Sequence, residues 1–497
     1  MGEGKRRFGA ARLIGLLLLW TFKLTAIFLM IAVPLLGVWI SSSLAIFFNE
    51  GLAWAIGVGL LMFPVLPLLW ELWGSHRRKK KGGTGPRLLN FWDRMVLRTL
   101  LINGMFLGGL LYAQPKSAFT ALSARGDWML AAAQGEHAQG ARKVLFTVSD
   151  HLEWLYKLAV HNPHAVAEDQ DKPLPKPKPV AKDEQGSVSG ESQPTPKKPK
   201  KATNPYQRWP QGKTLHAAVN DMPTSAEQSP KSVGEFFKAK LADPFERARA
   251  IHDYVADRIA YDAVALAEKR YPPYDPPTVL RRRKGVCAGY AKLFEAVALA
   301  AGLEAVYIRG QARQRDGGVD GEGHAWNGIK LGGRWYLLDV TWDSGSTEGR
   351  TFTKELRTTY FLTPPRVFAS DHFPDKSAWQ LLEPAIKRGD FIRQPMMRPA
   401  FYAAGLTLLS PQRSHVTIEG ELKISLDNRK GRHVMAFLAV PSDHTQKRAR
   451  CQVTRSRHTE VICKSPAAGR YAAHLCISKV KYGSYSCVGK IMVNDAR

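Results

Sequence analysis

Gly285-Val286-Cys287-Ala288-Gly289-Tyr290, then Gly323-His324-Ala325-Trp326-Asn327, then Trp335-Tyr336-Leu337-Leu338-Asp339-Val340-Thr341-Trp342-Asp343: these three runs decide how the chain is read. They supply a thiol, an imidazole and a carboxylate in that order, each in a different secondary element. Those are the parts of a cysteine nucleophile, its base and the group that orients the base. After Cys287 the apolar residues Ala291, Phe294, Val297, Ala298 and Ala301 recur at helical spacing until Gly302. The thiol is therefore predicted in the first turn of a buried helix. Unpaired backbone N–H groups and the positive end of the helix dipole favour a thiolate there. A buried structural cysteine is the competing reading of an isolated Cys.

The downstream residues weigh against that alternative. Residues 323–331 and 334–342 read as two strands joined by Gly332-Gly333, a two-residue hairpin signal. With that turn setting the register, Leu331 faces Arg334, Trp326 faces Asp339 and His324 faces Thr341. His324 and Asp339 are then diagonal neighbours on one face, close enough for the carboxylate to fix the tautomer of the ring. The other ring nitrogen is left to meet the sulfur of Cys287.

These motifs, in this order and at these intervals, resemble the transglutaminase-like core of the papain-like cysteine enzymes. The kyphoscoliosis-peptidase branch is the most similar, through Tyr360-Phe361-Leu362, His372-Phe373-Pro374 and Trp379-Gln380-Leu381-Leu382. The resemblance covers residues 248–384. It implies Cys287 as nucleophile, His324 as general base and acid, and Asp339 as orienter. It also implies that Tyr261, in Ile259-Ala260-Tyr261-Asp262, joins the cysteine's own N–H in an oxyanion hole; a core tyrosine is the alternative. Trp326 and Trp342 are read as walls of the site.

Upstream, residues 232–259 carry helical apolar spacing, and a Pro-rich loop, Tyr271-Pro272-Pro273-Tyr274-Asp275-Pro276-Pro277, precedes the cysteine. The catalytic domain is predicted over residues 232–395. Before it, residues 166–231 read as a disordered linker, with Lys172-Pro173-Leu174-Pro175-Lys176-Pro177-Lys178-Pro179 and Pro196-Lys197-Lys198-Pro199-Lys200-Lys201 at its centre. Such a stretch has too little apolar surface to offset its ordering entropy and forms an extended tether. Its lysines could touch an anionic envelope polymer.

The first 114 residues read as a membrane region with three spans. Residues 13–48 are almost continuously apolar apart from Lys23. As one helix they would measure about 54 Å against a hydrocarbon core of roughly 30 Å. The expected solution puts residues 13–23 at the interface and spans with residues 24–48, then with 52–73 and 95–112. Lys5, Arg6, Arg7 and Arg12 flank the first span, and Arg77, Arg78, Lys79, Lys80, Lys81 and Arg87 lie between the second and third. Positive flanks belong in the cytoplasm, so everything after Gln114 falls outside the cell (inner) membrane, periplasmic in a two-membrane envelope. Residues 115–165 read as a helical connector, with Leu145, Phe146, Leu152, Leu155 and Leu158 near helical spacing.

Residues 400–497 show short alternating runs (416–426, 433–440, 449–454, 460–464, 470–477 and 484–493), the pattern of an all-β sandwich. The resemblance implies an immunoglobulin-like domain here. Cys451, Cys463, Cys476 and Cys487 can form two disulfides in three connectivities, or a metal site. The lack of C-x-x-C knuckles favours disulfides, and the predicted topology supplies the oxidising compartment. One of the three connectivities, left open here, bridges Cys476 to Cys487 on neighbouring strands and Cys451 to Cys463.

The formal net charge of +28 is scattered over loops, tails and linker. No nucleic-acid motif accompanies it, so nucleic acid is not an expected partner. No EF-hand loop or metal-ligand spacing is present, and neither cofactor nor metal is expected. The fold class is thus an α+β papain-like, transglutaminase-like core between a helical membrane region and an immunoglobulin-like sandwich. The expected function is a membrane-anchored cysteine peptidase or acyltransferase acting on a protein or peptide through a thioester. The alternative is a non-catalytic envelope scaffold or binding module.

Overall fold

The computed structural model describes residues 3–48, 50, 52–82, 89–131, 133, 135–160, 209–314, 318–441 and 448–497. Arg87 and the Pro/Lys-rich runs up to residue 208 lie outside the described residues. The chain divides into two compact units, Met1–Val160 and His161–Arg497.

In the first unit α1 (Glu3–Phe48) is one continuous helix through Lys23 and Pro34. The interfacial stretch expected at residues 13–23 and the span expected at 24–48 thus belong to one helix. α2 (Leu52–Leu60), a π-helical turn (Leu61–Val65) and α3 (Leu66–Lys80) follow, then α4 (Phe91–Ala113). Three stretches are long and apolar enough to cross a membrane: Leu17–Phe48, Ala55–Lys80 and Phe91–Ala113.

The π-turn has a local cause. Phe63 precedes Pro64 and is pushed out of the helical region to φ −152°, ψ 120°. In the register where Leu66 N donates to Leu61 O, the Met62 carbonyl would fall to Pro67, which lacks an N–H, and Asn103 Nδ2 of α4 donates to it instead at 3.1 Å. Deeper charge is paired as well: Glu71 meets Arg94 at 2.7 Å and also Arg98. The helices after α4 are α5 (Pro115–Arg125), α6 (Glu136–His151) and α7 (Glu153–Ala159). Ala118, Ala121 and Leu122 of α5 bury against Ile40 and Leu44 of α1, so the helical connector begins by packing on α1.

The second unit begins earlier than the composition suggests. Residues 209–231 were expected to be disordered, yet Trp209 Nε1 donates to Thr359 O at 3.0 Å. Ala218, Val219 and Met222 lie in the core. The few apolar side chains here are enough because a preformed domain receives them. α8 (Pro230–Lys240) and α9 (Pro244–Arg258) start on capping Ser229 and Asp243, each with proline at the first helical position. Gly234 lets α8 lie directly on α10 (Cys287–Ala300), where a Cβ would come within 2.5 Å of Ala300.

β1 (Ala260–Tyr261) pairs in parallel with β2 (Lys284–Gly285) beside the start of α10. A four-stranded antiparallel sheet contains β3 (Glu304–Ala312), β4 (Glu322–Leu331), β5 (Arg334–Leu338) and β8 (His372–Pro374), in the order β5-β4-β3-β8. β6 (Gly345–Glu348) and β7 (Thr351–Lys354) form a separate hairpin. α10 packs on one face of the sheet with Phe237, Tyr254 and Phe294 in the core. Trp326, Trp335, Phe368 and Trp379 cluster elsewhere on it.

The C-terminal sandwich has β10 (Leu406–Ser410), β12 (Glu421–Asn428), β15 (Gln452–Val453) and β16 (His458–Lys464) in one sheet. The other holds β9 (Met396–Met397), β11 (His415–Ile418), β13 (His433–Ala439), β14 (Arg448–Arg450), β17 (Gly469–Ser478) and β18 (Ser486–Asp495). The expected single strand 416–426 is two. Gly420, at φ +88°, turns the chain from one sheet to the other. Disulfides join Cys451 to Cys463 and Cys476 to Cys487.

Candidate active site

α10 opens directly at Cys287, and no side chain caps its first turn. The backbone N–H groups there point outward without helical partners. Cys287 is 1% exposed and belongs to a buried cluster with Ala288, Ala291, Tyr307 and Ala325, against which Tyr274 of the Pro-rich loop packs. Cys287 is the one free cysteine of the five, the other four being bridged.

His324 stands on β4. The hairpin takes the predicted register, Leu331 opposite Arg334, with Gly332 and Gly333 at φ +56° and +81°, where a Cβ would be strained. β5 ends at Leu338, however, and residues 340–343 turn into a short helix (Val340–Asp343) instead of extending the strand. Asp339 causes this: its Oδ1 accepts from Trp342 N at 3.2 Å as an N-cap. Its other oxygen, Oδ2, is 2.8 Å from His324 Nε2. Cys287 neighbours the same ring and is one of the groups that raise its pKa.

The electrostatics follow from burial and pairing. Burial alone would push the His324 ring toward neutrality, but Asp339 and Cys287 outweigh it and raise its pKa above the ordinary value. Burial likewise opposes ionisation of Asp339, yet His324 and His372 hold its carboxyl well below the usual range. Trp342 lies over His324 with ring centroids 5.1 Å apart, and Trp326 lies at 6.1 Å, so both tryptophans wall the imidazole.

Tyr261, on β1, comes to the same place. Burial first, and the neighbouring Cys287 next, raise its hydroxyl well above the ordinary value, which keeps it a neutral donor. Its ring lies 6.2 Å from both Tyr290 and Phe352. Cys287 thus influences both Tyr261 and His324, and Asp339 holds the far side of the His324 ring.

Three further residues were missed as members of the site. His372 Nε2 lies 3.3 Å from Asp339 Oδ2, and its Nδ1 lies 2.7 Å from Asp371 Oδ1. Tyr360 donates its hydroxyl to Asp371 Oδ2 at 2.7 Å. His372-Phe373-Pro374 and Tyr360 stood out in the sequence only as markers of resemblance. His324, Asp339 and His372 bring three potential ligand atoms within 4.8 Å of one another. Two of the three separations, 2.8 and 3.3 Å, are also hydrogen-bond contacts.

Behind this array the sandwich closes on the core. The Arg313 guanidinium donates to Gln394 O at 3.2 Å and to Phe391 O. Burial brings its pKa down to about 9 against the opposing pull of Asp371. Arg398 reaches over the Trp342 ring, 5.7 Å from its centroid.

Comparison with known proteins agrees with this architecture. Residues 232–340 match the transglutaminase-like superfamily, and residues 388–494 match the KY-like, immunoglobulin-like domain. The chain is 37% identical over 207 residues to kyphoscoliosis peptidase of Mus musculus, covering 40% of this chain and 31% of that protein. The same values hold for kyphoscoliosis peptidase of Homo sapiens. Hillarin of Drosophila melanogaster is 29% identical over 149 residues, covering 26% of this chain and 18% of that protein. The chain spans about a third of the length of the first two relatives. It carries a transglutaminase-like core followed by a KY-like, immunoglobulin-like domain.

Proposed function

We propose that this chain is a membrane-anchored cysteine enzyme that cleaves or transfers amide acyl groups of a protein or peptide outside the cell membrane. One observation carries the reading: the buried His324 ring is held between the free thiol of Cys287 and the carboxylate of Asp339. In this mechanism the Cys287 sulfur attacks the acyl carbon, and the charge that develops on oxygen is met by the Cys287 N–H and the Tyr261 hydroxyl. His324, carrying the thiol's proton, delivers it to the departing amine. The resulting thioester is released when His324 takes a proton from water, giving hydrolysis, or from a second amine, giving transfer. Asp339 keeps the ring aligned throughout.

Cys287 is buried, in a cluster against which Tyr274 of the Pro-rich loop 271–277 packs, so a substrate needs an opening beside that loop. Three candidate spans and basic flanks support a cytoplasmic N-terminus and an external second unit. The two disulfides of the sandwich fit an oxidising compartment. The lysines of the Pro/Lys-rich runs would supply the charge for binding an anionic envelope polymer.

The test is labelling of the purified full chain, in detergent, by a thiol-directed electrophile. Cys287 should react far faster than a free cysteine derivative near neutral pH, and replacing His324 should remove the advantage. Equal labelling with and without His324 would sink the reading.

A further inference from the structure

The His372 imidazole is 1% exposed and spans two carboxylates. Its Nδ1 is 2.7 Å from Asp371 Oδ1 and its Nε2 is 3.3 Å from Asp339 Oδ2, the atom that also receives His324 Nε2 at 2.8 Å. An ionised carboxylate only accepts hydrogen bonds, so a ring bridging two of them donates from both nitrogens and is an imidazolium. Phe368 lies over the ring at 4.1 Å, Trp342 at 4.6 Å and Trp326 at 5.0 Å, which excludes water. The titratable and charged groups around it are Asp339, Asp371, His324 and Tyr360, with Arg313 and Arg398 beyond them.

Two consequences follow. Asp339 has both oxygens committed, Oδ1 to the Trp342 N–H and Oδ2 to two imidazoles, so its direction toward His324 is fixed on every side. A buried positive charge one carboxylate away from His324 also opposes protonation of His324 and helps the thiol ionise. We propose that His372 is a positioning residue which holds Asp339 as an imidazolium and sets the pH window of the Cys287–His324 pair, making the working unit Cys287–His324–Asp339–His372. The inference rests on the catalytic reading given above. It assigns a role to a residue outside the Cys-His-Asp set.

The full chain in detergent, kept oxidised, has Cys287 as its one free thiol, so alkylation by iodoacetamide reads that residue alone. The second-order rate is followed from acid to alkaline pH for the wild type, His324→Asn, His372→Gln, His372→Phe and Asp371→Asn, with thermal midpoints measured beside it. Removing the buried cation makes the thiol harder to ionise and His324 harder to deprotonate, so both limbs of the profile move to higher pH. The expected displacement is on the order of one pH unit in His372→Gln and His372→Phe, and smaller in the same direction in Asp371→Asn.

Folded His372 variants whose limbs coincide with the wild type overturn the proposal. So does failure of all three variants to fold, which assigns the ring to scaffolding, and so does a stoichiometric metal ion lost in His372→Gln. A wild type no faster than a free thiol and indifferent to His324→Asn overturns the parent reading and this one together. An activated, His324-dependent wild type with unmoved His372 variants defeats this inference alone.

Discussion

Two buried arrays of histidine and aspartate hang from the segment Asp339-Val340-Thr341-Trp342-Asp343, one from each end. From Asp339 the array runs to His324 and Cys287 on one side and to His372, Asp371 and Tyr360 on the other. From Asp343 it runs through His252, at 3.2 Å, to Asp253 and Arg249. Tyr360 joins them through its backbone, accepting from Asp339 N and donating to Asp343 Oδ2. Burial, residue types and distances are alike. The ends differ. The second array closes on Gln211 and the carbonyls of Gly212 and Thr214, tying residues 209–216 to the domain. The first ends on a thiol at the uncapped start of a helix. The two His–Asp arrays thus differ in what lies at the far end, a thiol in one and a set of backbone carbonyls in the other.

Exchanging the two histidines tests that contrast most severely. His324→Asn should lower the alkylation rate of Cys287 near neutral pH by about two to four orders of magnitude, the usual worth of a positioned base. His252→Asn should leave the rate of the folded fraction within a few-fold of wild type. A comparable fall in both variants would erase the distinction between the arrays.

The structural array should show itself in stability. Arg249→Met removes the guanidinium from a contact with Asp253 at 2.7 Å, leaving that buried carboxylate without its cation, and removes three hydrogen bonds that hold residues 211–214. Breaking one partner of a buried pair costs about 3–5 kcal/mol, so the thermal midpoint of the second unit should drop by many degrees. A surface-like loss under ~1 kcal/mol would show that residues 209–216 are not anchored there.

A smaller change probes the strand that carries His372. Gly310 lies on β3 opposite Pro374, and an added Cβ would meet Phe373 O at 2.2 Å and the Trp326 ring at 2.6 Å. The nearest atom is backbone, so β8 must move. Gly310→Ala should cost about 1–3 kcal/mol and displace the alkylation profile in the direction of His372→Gln. Loss of stability with an unmoved profile would separate β8 from the site.

The parts of this site that were legible in the sequence are those encoded locally. Gly332-Gly333 announces a hairpin whose count places His324 beside Asp339, and the apolar spacing after Cys287 announces the helix. Asp339 was misplaced in one respect: an aspartate three residues before a free N–H caps a helix, and that preference ended the strand at Leu338. His372 had no such signal, because β8 is three residues long and reaches the site only by pairing with β3. The break between β11 and β12 was invisible for a related reason. Gly420 continues the alternation of its neighbours, and its left-handed turn appears only when the sheets stack.

The smallest expected effect lies in the pH dependence of stability, and there the two arrays should act alike. His252, His324 and His372 all have pKa values raised in the fold, since their carboxylate partners outweigh burial. A histidine of this kind binds its proton more tightly folded than unfolded. Its stabilisation is complete below the ordinary value of 6.5 and is lost as pH rises through the folded value. Asp253 and Asp339 are shifted the other way, so their contribution is lost only as pH falls through their lowered values, far from this window. Between pH 6.5 and about 8 the histidines therefore set the sign, and the thermal midpoint of the second unit should fall by about 2–4 °C, the response of a unit this size to ~1 kcal/mol. The slope should be shallower in both His372→Gln and His252→Asn. A midpoint that rises over this range, or a slope that only one of the two variants reduces, would mean that the arrays do not share the charge state their distances imply.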